Sequence, residues 1–251
     1  MTDRRRFLRN AVLAMGGAAL AGCDAISQSD TGAKVLDSAE GVTRRVQRLL
    51  SPSTALAKEF TEADISPVFK ANGSTLPDTP EYQALMRDHF AGYRLDVGGL
   101  VARPTQFSLD ALRALGTRTQ ITRHDCVEGW SVIGKWTGTP LGAVLDHVRP
   151  RPDARYVVFH CFDHIEEDTP YYESIDLTEA RHPQTLLAYA LNDATLPVAN
   201  GAPLRLRVER QLGYKHAKYL RRIELVDSFA RIGEGRGGYW EDNGYEWYAG
   251  I

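Results

Sequence analysis

The chain has 251 residues, 43% of them hydrophobic, enough to bury a sizeable core and to exclude wholesale disorder. With 30 basic and 32 acidic residues the formal charge is −2, so no global imbalance points to nucleic acid. Three cysteines are too few for a disulfide framework, and neither a C-x-x-C-H haem signature nor a paired C-x-x-C zinc spacing occurs.

The N-terminus has the pattern of an address rather than of a fold. Asp3-Arg4-Arg5-Arg6-Phe7-Leu8-Arg9 resembles a twin-arginine export signal. The apolar run from Ala11 to Ala21 is short for a bilayer span. It ends in Leu20-Ala21-Gly22-Cys23, which resembles a lipobox, the sequence in which the cysteine becomes the lipidated first residue of the mature protein. Residues 1–22 are therefore expected to be a signal peptide. The protein is expected in the periplasm, touching a membrane only through a lipid on Cys23. Residues 23–59 form the next segment, a polar tether to Gly41 and then short helices. The folded domain is expected over residues 60–251.

In chain order, Val42, Val46, Leu49 and Leu50 recur at helical spacing. Ser53 is placed to cap a second short helix reaching Glu59 and Phe60. Ile65 to Gly73 suggests a strand running into an Asn-Gly turn. Thr79 to Phe90 has a helical pattern, with Tyr82, Leu85, Met86 and His89 on one side. Tyr93 to Val97 alternates like a strand that Gly98-Gly99 ends. Ser108 is expected to cap a helix from Leu109 to Leu115, and Thr119 to Arg123 is β-prone. Trp136 to Leu141 suggests a turn into a helix ending near Val148. Tyr156 to Cys161 is the most β-prone run, with Cys161 in the core, and Tyr171 to Leu177 is extended. Leu186 to Leu191 suggests a short apolar helix or a turn of one. Leu204 to Val208 alternates with its arginines on one face, and Ile223 to Val226 is the last strand. Short strands with interspersed short helices and no βαβ period predict an α+β domain with mixed β-sheets.

Chemistry concentrates around Cys126, which stands between His124 and Asp125 on one side and Glu128, Gly129 and Trp130 on the other. A thiolate is the ligand type that soft metals select, although a lone cysteine more often serves as a small buried hydrophobe. His124, Asp125, Glu128 and Trp130 suit a surrounding layer that orients such a ligand, or else a solvated Glu128 beside a core Trp130. His124 to Ser131 resembles the cofactor-cysteine segment of bacterial members of the sulfite oxidase family, the molybdopterin-dependent oxidoreductases. In that family the cysteine sulfur binds molybdenum.

Three further segments carry the resemblance, in the family's order. Asn200-Gly201-Ala202-Pro203-Leu204-Arg205 is similar to a segment whose first residue and arginine contact the pterin and its phosphate. Gly213-Tyr214-Lys215-His216-Ala217-Lys218 resembles the loop that wraps the terminal phosphate, with Lys218 its most characteristic lysine. Phe69-x-x-Asn72-Gly73 falls at the early pterin-binding segment. There Ala71-Asn72-Gly73 replaces the Arg-Asn-His of animal-type sulfite oxidases, removing fixed positive charge that a small dianion needs. Both that segment and Cys-Val-Glu-Gly-Trp-Ser lie nearer the methionine sulfoxide reductase branch.

The resemblance implies a molybdenum–molybdopterin cofactor in a sulfite oxidase-type domain without a further immunoglobulin-like dimerisation domain, and a monomer is expected. It implies Cys126, His124 and Trp130 as catalytic residues, with Cys126 as metal ligand. Phe69, Asn72, Asp125, Asp163, Ser174, Asn200, Arg205, Gly213, Tyr214, Lys215 and Lys218 complete the cofactor set. The implied activity is oxygen-atom transfer to or from a small S- or N-containing substrate. Without a haem motif in the chain, electrons need an external partner, a membrane haem protein or a cytochrome. A cofactor-bearing carrier without turnover, or a molybdenum-free binding module, remain as alternatives from the residues alone.

Overall fold

The computed structural model describes residues 41–43, 45–47, 52, 54–166 and 169–251. Ser53 and the signal and lipobox residues lie outside the described residues, as does most of the tether. The chain divides into Met1–Ser51 and Pro52–Ile251. In the first unit, residues 41–43 and 45–47 are helical, and Val42 and Val46 are exposed.

The second unit is built on two five-stranded sheets. The first contains β1 (Leu95–Gly99), β2 (Thr105–Phe107), β5 (Tyr156–Glu166), β6 (Thr169–Asp176) and β10 (Leu220–Val226), in the order β2-β1-β10-β5-β6. Only β1 and β10 run parallel in it, so the sheet is mixed. The second contains β3 (Arg118–Asp125), β4 (Ser131–Pro140), β7 (Leu186–Leu191) and β8 (Ala194–Thr195), with β9 (Arg205–Arg207) also pairing to β7. Among the described residues five short α-helices accompany them: α1 (Pro80–Arg87), α2 (Leu109–Ala114), α3 (Leu141–Val148), α4 (Leu177–Ala180) and α5 (Tyr239–Asp242). This is the α+β arrangement of mixed sheets and short helices that the sequence pattern predicts.

Local chemistry accounts for most of these elements. Leu141, Val144, Leu145 and Val148 fall at i, i+3, i+4 and i+7, and all four are fully buried. Each such burial contributes roughly 1.5–3 kcal/mol before entropy is counted. Arg149, at φ +57°, ends that helix in the left-handed region. The Ser108 hydroxyl accepts a hydrogen bond from the Ala111 amide at 3.1 Å and so caps α2. Cys161 is in the core, as expected.

Six expectations need correction. Leu186–Leu191 is not helical but the strand β7, paired on both edges. A strand buried on both faces shows an unbroken apolar run, which periodicity cannot tell from a buried helix. Trp136 to Pro140 is not a turn; it completes β4, with a register shift at Thr137/Gly138 against β7. A side chain at Gly138 would collide with the Leu187 carbonyl, so the glycine serves close strand approach rather than a turn. No helix reaches Phe60: Glu59 bridges Thr122, and the Phe60 amide donates to the Ile121 carbonyl at 2.8 Å. Ile65 to Gly73 contains no strand, although Gly73 does turn at φ +60°. His89 leaves α1 at positive φ and is exposed, while Phe90 packs against the core in its place. In addition, Gly98 and Gly99 lie inside β1 rather than after it.

Candidate functional site

Cys126 sits in the hairpin loop between β3 and β4. Its amide donates to the Trp130 carbonyl at 2.9 Å, and the Gly129 amide donates to the Cys126 carbonyl at 3.0 Å. Gly129, at φ +85°, supplies the left-handed residue this tight loop requires. Asp125 fastens the loop's base, accepting from the Ser131 hydroxyl at 2.5 Å and from Arg123 Nε at 2.9 Å. Cys126 is 8% exposed. Burial pushes its pKa up, and the Glu128 carboxylate adds to this, against backbone N–H groups and Lys70. Unaided, it stays protonated near neutrality; a metal cation reverses that by stabilising the thiolate.

Cys126 opens onto a cleft of about 130 Å³. The rim is exposed and includes Gly73, Val127, Glu128 and Tyr245. The deep end is buried and includes Asp163, Tyr171, His216 and Lys218. Burial raises Asp163 to a pKa of about 7 despite Lys218 nearby, and one of its carboxylate oxygens has no hydrogen-bond partner. Burial, then Arg205, lowers Lys218 to about 7. Its ammonium donates to the carbonyls of Asn72 (2.6 Å), Ser74 and Ala199 (3.2 Å).

Behind this end lies a layer of buried polar groups. Arg205 donates to the Asn200 carbonyl at 2.8 Å, and burial brings its pKa down to about 9. Gly201, at φ +111°, lets Arg205 and Lys218 approach one another; a β-carbon there would stand 3.1 and 3.0 Å from theirs. His124 is fully buried, and burial followed by Arg207, Arg205 and Lys218 holds its pKa well below the usual histidine value. Its Nδ1 accepts from Arg207 at 3.0 Å, which leaves the proton on Nε2. A β-carbon at Gly213 would lie 2.6 Å from that Nε2, so glycine is needed there. Trp136 lies under both guanidinium groups, at 5.0 Å from Arg205 and 4.4 Å from Arg207.

The chemistry of this donor set fits a phosphate-bearing, metal-holding pterin. Among the described residues, the buried cations divide in two. Arg207 is paired with Glu209, Arg210 with Glu179, and Lys215 with Glu173 and Glu241. Arg205 and Lys218 meet carbonyls only. No carboxylate is hydrogen-bonded to either, and Asp163, the acid nearest Lys218, is itself raised to a pKa of about 7; a buried cation so poorly compensated is costly and favours an anionic ligand. Asn72 Oδ1, Asn200 Nδ2, Arg205 Nε and His124 Nε2 are buried without hydrogen-bond partners in the same region. Cys126 adds the one soft ligand.

Of the residues named from sequence, Asn72, Cys126, Asp163, Gly213, Tyr214 and Lys218 line the cleft together. Asn200, Arg205, His124 and Phe69 support it from behind; Phe69 packs edge-on against Trp136 at 4.9 Å. Four do not reach it. Asp125 is the hairpin's fastening. Trp130 lies under Lys70 at 4.5 Å and donates to Glu128 at 2.7 Å. The Ser174 hydroxyl is taken by the Gly237 carbonyl and by Trp247 Nε1, the latter at 2.8 Å. Lys215 is held between Glu173 and Glu241. Sequence reasoning missed Trp240 and Tyr245 in the cleft wall, and Trp136, Arg207 and Glu209 behind it. The Arg-x-Arg-x-Glu spacing of Arg205, Arg207 and Glu209 was the available signal for the last pair.

The profile of the family described as "Oxidoreductase molybdopterin binding domain" matches residues 82–231. The chain belongs to this family, the sulfite oxidase-type molybdopterin-dependent oxidoreductases. Among similar proteins is one of Azospira oryzae, provisionally named protein-methionine-sulfoxide reductase subunit YedZ1. It is 38% identical over 98% of this chain and 87% of its own length. The protein-methionine-sulfoxide reductase catalytic subunit MsrP of Ralstonia nicotianae is 32% identical over 90% of this chain and 69% of its own. The sulfane dehydrogenase SoxCD of Paracoccus pantotrophus aligns over 54% of this chain and 38% of its own, at 21% identity and a TM-score of 0.49. Family membership makes the chain an oxidoreductase with molybdopterin as cofactor, on the methionine sulfoxide reductase side of the family.

Proposed function

We propose that this chain is the catalytic molybdenum–pterin subunit of an exported reductase that removes the oxygen atom from methionine S-oxide. The observation that carries the reading is the pair of buried basic side chains that hydrogen-bond to carbonyls and to no carboxylate, Arg205 and Lys218, beside a cleft that Cys126 faces. The names of the two curated relatives support the substrate. The overall change is R₂SO + 2 e⁻ + 2 H⁺ → R₂S + H₂O. Molybdenum on the pterin supplies two-electron oxygen-atom transfer when bound.

The chain's own residues contribute binding, orientation and protons. Cys126 holds the metal through sulfur. Arg205, Lys218, Asn72 and Asn200 hold the pterin and its phosphate, since charged donors bind phosphate oxygens well. Asp163, with a pKa of about 7, exchanges a proton in the neutral range. Tyr171 and His216, both buried, keep water from the deep end. Electrons come from an external membrane haem protein or cytochrome, in line with the word "subunit" in both relatives' names. Export by the twin-arginine route and lipid attachment at Cys23 belong to the same proposal and rest on the N-terminal motifs.

The test is protein exported by its own signal, analysed for molybdenum, then assayed with a reduced dye against peptide methionine S-oxide, dimethyl sulfoxide, trimethylamine N-oxide and sulfite. Turnover of S-oxides is expected. Molybdenum-loaded protein that oxidises sulfite and leaves every S-oxide untouched rejects the reading.

A further inference from the structure

We infer that Trp240 and Tyr245 form a specificity wall that grips the carbon arm of the S-oxide, so that the C-terminal segment decides which S-oxide is taken. The inference rests on the reductase reading above and adds a substrate-recognising element to it. The family profile ends at residue 231, yet Trp240 and Tyr245 both line the cleft. Part of the cleft is therefore built by residues that follow the span matched by the family profile.

The two ends of the cleft differ in chemistry. Lys218 and His216 at the deep end are 7% and 4% exposed, and the unpaired cations gather there. An anionic cofactor belongs at that end, leaving substrate to meet the rim. Val127 and Tyr245, at the rim, are 46% and 38% exposed. The rings of Trp240 and Tyr245 stack at 5.2 Å and 29°, and Tyr214 meets Tyr245 edge-on at 5.2 Å. A stacked pair offers a broad apolar face. Thioether-type sulfur and its methylenes pack well against such rings, whereas a compact oxyanion gains little from them.

The wall is also held rigidly. Lys215 is clamped between Glu173 of β6 and Glu241 of α5. Tyr172 donates to Asp242 at 2.5 Å, Trp247 to Ser174 at 2.8 Å, and Tyr214 to the Glu246 carbonyl at 2.7 Å. The Tyr245 amide donates to the Trp240 carbonyl at 3.0 Å, fixing the two rings relative to each other. Recognition by side chains already in place avoids much of the ordering cost of binding.

The experiment compares holoenzyme with Trp240→Ala, Tyr245→Ala and Trp240→Phe, using two substrates. One is a short peptide with a single methionine S-oxide; the other is dimethyl sulfoxide, which has no arm beyond its methyl groups. Each alanine variant is expected to raise KM for the peptide about tenfold and to lower the peptide-to-dimethyl-sulfoxide ratio of kcat/KM by a similar factor, about 1.4 kcal/mol. Trp240→Phe should restore most of that ratio, and molybdopterin content should match wild type throughout. An unchanged ratio in both alanine variants, with wild type active on S-oxides, overturns the wall and leaves the reductase reading standing. Loss of molybdopterin in step with the ratio also overturns it, because the residues would then act through the fold. Wild type that reduces no S-oxide overturns the reductase reading and this inference with it.

Discussion

A phosphate-like anion binding to the cofactor-free protein is expected to draw a proton onto Lys218. Burial and then Arg205 hold this ammonium to a pKa of about 7, against an ordinary 10.5. At pH 8 roughly one Lys218 in ten is therefore charged. An anion seated against it removes the penalty and returns the group toward its ordinary value. Binding at pH 8 then takes up about 0.9 proton. Between pH about 7 and 10.5 the free protein carries fewer protons than the complex, so affinity falls as pH rises. From pH 7 to pH 9 the loss is about fiftyfold, or about 2.3 kcal/mol. Calorimetric titration with inorganic phosphate, in two buffers of different ionisation enthalpy, measures the uptake. Sulfate, whose charge is constant over this range, separates the protein's proton from the ligand's own. Heats that do not depend on buffer at pH 8, or equal uptake in Lys218→Met, would refute the assignment of Lys218 as the phosphate-facing cation.

Cys126→Ser is expected to lower activity at least a hundredfold while the thermal midpoint stays near wild type, because a hydroxyl is a poorer ligand for a soft site; wild-type turnover at full molybdenum occupancy counts against it. Lys215→Met leaves two buried carboxylates without their cation and should cost about 3–5 kcal/mol. Burial, then Glu241, already raises the pKa of Glu173 well above the carboxylate range, so its protonated form stabilises the fold at low pH and that contribution is lost as pH rises. Denaturant unfolding of the variant should accordingly show partial rescue on acidification. Cys23→Ala should release the processed protein from membranes, since lipid chains supply the anchor; equal membrane retention and unchanged mass after processing would rule the lipobox out.

How far the fold was legible depends on whether a segment's burial is one-sided. α3 shows its apolar stripe because Leu141, Val144, Leu145 and Val148 share one face, and α2 announces itself through Ser108. β7 is covered on both faces, so its side chains lose the alternation that marks a strand. The segment Trp136 to Pro140 misled because Gly and Pro there serve strand crowding and strand exit, not a turn. The end of β1 was misjudged for a related reason: Gly99 tolerates φ +79° while staying paired with Leu225 of β10.

The candidate site was legible where one residue does the work and obscure where a distant partner decides. Lys215 and Lys218 look alike in sequence, three residues apart on one loop. Their roles are separated by carboxylates 42 and 26 residues away from Lys215, Glu173 and Glu241, which no local pattern reveals. Those carboxylates make Lys215 a strut for the C-terminal segment, while Lys218 is left with carbonyl oxygens and a lowered pKa. Arg205 and Arg207 differ in the same way: Glu209 neutralises Arg207 through two hydrogen bonds, and Arg205 has no such partner. Since a buried cation without a hydrogen-bonded carboxylate costs stability, a fold that keeps two such basic side chains side by side, next to the cleft-lining Cys126, suits a ligand that brings negative charge.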